Sequence, residues 1–109
     1  MTHNIINAQV ATANINSEAF DMDGQRAGRN MSFTVNSTSF NAADATVKIQ
    51  HSNDNSNWAD VTDGSITIAT GTASQSLTPI TNLAMRFYRI VYTKVSNTAG
   101  TITVILNIQ

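Results

Sequence analysis

From Thr101 to Ile108 the chain sets Ile102, Val104, Leu106 and Ile108 in one phase and Thr101, Thr103 and Asn107 in the other, with Ile105 the apolar exception. Successive side chains of a strand point to opposite faces, so this segment reads as a β-strand with one face in a core. The same period recurs upstream. Met31, Phe33 and Val35 alternate with Ser32, Thr34 and Asn36, Val47 and Ile49 with Lys48 and Gln50, and Ile66 and Ile68 with Thr67 and Ala69. From Met85 to Val95 both phases are partly apolar, Tyr88, Ile90 and Tyr92 against Phe87, Arg89 and Val91. That pattern predicts a central strand, with the stems of Arg86, Arg89 and Lys94 lying over apolar neighbours. Weaker strands are expected near Ile5 to Ile15, Phe20 to Met22 and Gln75 to Ile80, with Pro79, the sole proline, at an edge or a strand end.

No segment carries helical spacing, and the abundance of Ser, Thr and Asn works in the same direction. Their short polar side chains compete for backbone hydrogen bonds and disfavour helix interiors. Turn chemistry punctuates the strands at Asp23-Gly24, Ala27-Gly28, Asn53-Asp54-Asn55, Asp63-Gly64, Thr70-Gly71 and Asn97-Thr98-Ala99-Gly100. Seven or eight short strands in this arrangement predict an all-β fold, an antiparallel β-sandwich of jelly-roll or immunoglobulin-like type. Residues 16–109 are expected to form that single domain. Residues 1–15, small and polar, are expected to be an N-terminal arm or pairing strand that orders on a neighbour.

A chain of 109 residues suits one core. Aromatic residues make up only 6%, so that core must be thin and aliphatic, and there is no cysteine to staple it or to supply a thiolate. Self-association is the expected remedy. With 12% charged residues and a net charge of −1, the chain lacks the electrostatic footprint of phosphate binding, and nucleic acid is not an expected partner. No apolar run reaches the roughly 18–20 residues that cross a bilayer. The start Met1-Thr2-His3-Asn4 lacks the regions of a signal peptide, so the expectation is a chain made in the cytoplasm with no membrane partner.

Three groups of residues invite a chemical reading. Asn53, Asp54, Asn55, Asp60 and Asp63 are rich in oxygen, as calcium requires, but their spacing is not that of an EF-hand loop, and Asx-rich turns ordinarily cap themselves. Trp58, the only tryptophan, could stack on a sugar beside these amides and acids; the plainer expectation is a lid on the end of the core. Arg26 and Arg29 place two cations on one turn, suited either to clamping carboxylates of a neighbouring subunit or to solvent. Of the two imidazoles, His51 runs in phase with Val47 and Ile49 and is expected to tuck beside the turn. A GxSxG elbow, a HExxH pair and a phosphate-binding glycine loop are all missing, so neither catalysis nor a cofactor is expected.

The segment Ser52-Asn53-Asp54-Asn55, followed by Asn57-Trp58-Ala59-Asp60-Val61, resembles a Ser-Asn-Asp-Gly-x-x-Trp turn of small structural proteins of tailed bacteriophages. The resemblance extends from Ser17–Asp21 through Tyr88-Arg89-Ile90-Val91-Tyr92 to Gly100-Thr101-Ile102-Thr103-Val104, about the last 90 residues. Asn55 stands where glycine is usual, a mild change because Asn tolerates the left-handed conformation. The resemblance implies a virion protein made in the host bacterial cytoplasm, a capsid decoration or auxiliary head protein or a module of a spike or fibre. Its expected partners are the major capsid protein or other virion proteins and further copies of itself, with a trimer suggested by threefold lattice sites. The alternative is a module that binds host surface glycans through Trp58 and its Asn and Asp neighbours.

Overall fold

The computed structural model describes residues 2–22, 30–77, 79–80, 83 and 85–108. Nine strands follow in order: β1 (Thr2–Val10), β2 (Ile15–Asn16), β3 (Phe20–Asp21), β4 (Met31–Phe40), β5 (Thr46–Ser52), β6 (Ala59–Thr67), β7 (Gly71–Ser76), β8 (Phe87–Thr93) and β9 (Thr101–Ile108). They form an antiparallel sandwich. The first sheet runs β1-β9-β4-β7; the second runs β2-β8-β5-β6, with β3 also paired to β8.

The period-two segments bury the residues their alternation marks. Met31, Phe33 and Val35 of β4 and Ile102, Val104, Leu106 and Ile108 of β9 face Val47 and Ile49 of β5 and Tyr88, Ile90 and Tyr92 of β8, all nearly sealed from solvent. Each aliphatic side chain so buried contributes about 1.5–3 kcal/mol relative to an exposed one. As its two-phase sequence predicts, β8 is internal, between β5 and the short β2 and β3.

Three features depart from expectation. Nine strands replace seven or eight because the segment before Asp23 supplies three, and β2 and β3, at two residues each, are too short to show a period. The strand expected from Gln75 begins at Gly71 instead, in a sequence with no apolar alternation. Side-chain hydrogen bonds hold it to β4: the Thr34 and Ser76 hydroxyls meet at 3.0 Å, the Ser39 N–H donates to the Thr72 hydroxyl, and Ser37 donates to the Ala73 carbonyl. The expected arm over 1–15 contains a pairing strand whose partner lies in the same chain. β1 pairs with β9, and Ile6, wholly buried opposite Val104, anchors it.

One end of the sandwich closes on Asn97, a buried polar residue. Its side-chain N–H groups donate to the Ala11 and Ala99 carbonyls at 3.1 and 2.7 Å, and its Oδ1 accepts from the Asn41 N–H at 2.9 Å. The Tyr92 hydroxyl donates to the same Ala11 carbonyl, and burial pushes its pKa up. Gly100 beside it has φ +89°, and a Cβ there would lie 2.1 Å from the Thr38 carbonyl oxygen, so only glycine fits.

Candidate functional site

On the second sheet, register decides which polar residues meet. Gln50 of β5 is directly opposite Arg89 of β8 on one side and Asp60 of β6 on the other; Arg89 lies between the buried Tyr88 and Ile90, and residues paired directly across strands share a face, so all three lie on the outer one. The Gln50 Oε1 accepts from both Nε and an Nη of Arg89, at 2.9 and 2.7 Å, while its Nε2 donates to Asp60 at 2.9 Å. Lys48, two residues earlier on the same face, pairs with Asp60 at 3.2 Å. The Gln50 amide and Lys48 together hold the Asp60 carboxyl below the usual carboxylate range.

Trp58 completes this row. Its ring lies over the Arg89 guanidinium, 4.4 Å from carbon to ring centre, and it takes no part in the hydrophobic core. The expected lid is therefore a half-buried platform on the outer face. The turn explains why: strand alternation stops at Ser52, and residues 53–57 reset the phase before β6 begins. His51 does tuck inward, its ring edge-on to Tyr88 at 6.1 Å.

Asp54 organises that turn. Its carboxylate accepts from the Ser56 and Asn57 N–H groups at 2.9 and 2.8 Å, from the Asn57 side chain at 2.7 Å and from the Ser52 hydroxyl at 2.8 Å. These donors, the Asn57 N–H foremost, hold its pKa far below the ordinary aspartate value. Asn55 adopts the left-handed conformation, φ 58°, in the place where glycine is usual in the phage pattern. Asn53 and Asn55 are exposed in the turn, whereas Asp60 belongs to the sheet face and Asp63 lies at a left-handed position of β6. The oxygen-rich residues are thus split between different tasks, and no group of three or more metal-ligating side chains forms among the described residues. Arg26 and Arg29 lie outside the described residues. The bidentate arginine clamp that is described joins Arg86 to Asp21, at 3.0 and 2.9 Å, with Arg86 also over the Phe87 ring.

Sequence reasoning singled out Trp58 and Asp60 but missed Gln50, Arg89 and Lys48 as their neighbours. Their phase was legible, since each is offset by one from a buried residue; the register that unites them was not. Together they present an aromatic surface, a guanidinium, an amide, a carboxylate and an ammonium in one row, an arrangement suited to hydrogen-bonded recognition at a wet surface.

Among solved structures, the PBSX exported protein XepA superposes with a TM-score of 0.76 at 16% identity, over 99% of this chain and 36% of that one. The chain thus spans about a third of XepA. A structure described as "CBM4 structure and function" matches with a TM-score of 0.50 at 16% identity, over 94% of this chain and 64% of that one. The Family 16 Carbohydrate Binding Module-2 matches with a TM-score of 0.50 at 7% identity, over 92% of this chain and 72% of that one. At these identities the likeness is one of fold, a carbohydrate-binding-module-like sandwich. No curated protein matches the sequence. The family model described as Domain of unknown function (DUF6385) matches residues 26–109, most of the chain, and the protein belongs to that family.

Proposed function

We propose that this chain is a non-enzymatic structural module of a phage or phage-like particle, a decoration or auxiliary protein that acts by adhesion to the major capsid protein or another virion protein. The observation that supports the phage-like part of this reading is the likeness to XepA of PBSX over essentially the whole chain. The phage-protein turn supports it, with Asp54 and the left-handed Asn55 building the loop that the sequence pattern describes. Adhesion by many copies multiplies a modest affinity through avidity. Quantitative peptide mass spectrometry of purified particles tests it. A copy number in simple proportion to the major capsid protein is the expected result, a handful of copies moves the chain to a spike or tail, and absence from particles overturns the reading.

A second reading has its own observation. Trp58 stands on the outer face beside Arg89, Gln50 and Asp60, as a sugar-stacking platform would, and the fold is shared with carbohydrate-binding modules. On this reading the row binds surface glycans. Titrating cell-surface polysaccharide while following the emission of the single tryptophan decides it: saturable change that Arg89→Ala removes supports glycan binding, and an unchanged spectrum sinks it.

A further inference from the structure

All thirteen Lys, Arg, Asp and Glu residues lie outside the four strands of the first sheet. Its outer face carries hydroxyls and amides, such as Thr34, Asn36 and Thr38 of β4 and Ser74 and Ser76 of β7, with Ile105 of β9 and the exposed Val10 of β1 as apolar exceptions. A face without charge can meet a second copy of itself with no like-charge repulsion. The four sheet edges narrow the location further, because an exposed edge offers backbone N–H and C=O groups to any strand that fits. On β1 two register shifts and a left-handed Ala8 spoil the ladder. β6 has a register shift, a left-handed Asp63 and the carboxylates of Asp60 and Asp63. The opposite edge of the second sheet is two strands of two residues each.

Among the described strands, only β7 lacks such protection. It has no charge and no proline, its pairing to β4 runs without interruption from Ser76 to Ala73, and the one irregularity falls at its Gly71 end. It is also held in place beforehand. Besides its bonds to β4, the Gln75 side chain donates to the Thr67 carbonyl and accepts from the Ala69 N–H, both at 2.9 Å. An edge already ordered loses little entropy when it pairs.

We infer that β7 is a self-association edge, pairing antiparallel with β7 of a second copy so that two four-stranded sheets become one continuous sheet. A two-fold antiparallel pair sets side chains against their own symmetry mates, where any charge would meet its like. β7 has none to meet. The assembly is a two-fold dimer, in place of the trimer that lattice symmetry suggests.

Sedimentation over a wide concentration range tests this, on the wild type and on Ser74→Lys, which puts an ammonium on the exposed face of β7. The expected result is a wild-type dimer that Ser74→Lys weakens at least tenfold while its circular dichroism is unchanged. Hydrogen exchange on the wild type alone, dilute against concentrated, guards against a variant that fails to fold. The amides of β7 should gain protection with concentration. A wild type that stays monomeric, a trimer, an oligomer indifferent to Ser74→Lys in a folded variant, or concentration-dependent protection confined to another strand would each overturn the inference.

Discussion

The two outer faces of this sandwich are built from different materials. The first sheet presents hydroxyls and amides without a single Lys, Arg, Asp or Glu in its strands, whereas the second gathers Lys48, Asp60, Arg89 and Trp58 into one connected row. The first sheet is held by shape and short neutral hydrogen bonds such as Thr34 to Ser76. The second adds interactions that depend on ionisation. A thin aliphatic core serves both, so the division of labour lies in the residues that alternate away from it.

That contrast can be broken most severely at Gly100. Gly100→Ala forces a side chain into a left-handed position against the Thr38 carbonyl, and should cost about 2–4 kcal/mol in urea unfolding. A variant as stable as the wild type would show that close approach does not hold the first sheet. Asn97→Leu comes next. It leaves the Asn41 N–H and the Ala11 and Ala99 carbonyls without the buried amide, an expected loss of about 1–3 kcal/mol felt equally by both sheets.

Acid should then separate the sheets. The pKa values of Asp44, Asp54 and Asp60 are lowered in the folded protein, by the Ser96 hydroxyl for Asp44, the Asn57 N–H for Asp54 and the Gln50 amide for Asp60. A carboxyl depressed on folding contributes stability above its unfolded pKa of about 3.9 and loses it as pH falls through the lower folded value. Below about pH 4, protection from hydrogen exchange, relative to the intrinsic rate at each pH, should therefore fall around residues 44–60 before it falls in β4 and β9; uniform loss would erase the distinction. The smallest effect belongs to Lys48→Met. An ion pair with its carboxylate largely exposed is worth less than about 1 kcal/mol, and the difference from wild type should vanish in high salt.

The inward faces of β4, β5, β8 and β9 were legible because alternation is a local property of the chain. β7 was not, since Gly-Thr-Ala-Ser-Gln-Ser has no apolar period and is placed by hydroxyl contacts with a strand far away in sequence. Trp58 misled for a related reason. A lone aromatic after a strand suggests a core lid, and nothing in the composition of the turn reveals that five residues turn the ring outward onto Arg89. Asn97 read as an ordinary turn residue, because two of its three partners, Asn41 and Ala11, lie in other loops that only the folded chain brings near; Ala99 belongs to its own loop.

The place of β9 between β1 and β4 also governs how the molecule can be born. A ribosome delivers β5 and β6 well before β9, so these two neighbours can pair while the first sheet still lacks its middle member. β1 waits for β9, from which seven other strands separate it along the chain, and contacts that distant in sequence form slowly. Until then the nascent chain exposes the inward faces of β4 and β5, the kind of unpaired apolar surface that makes a partly folded chain prone to aggregate.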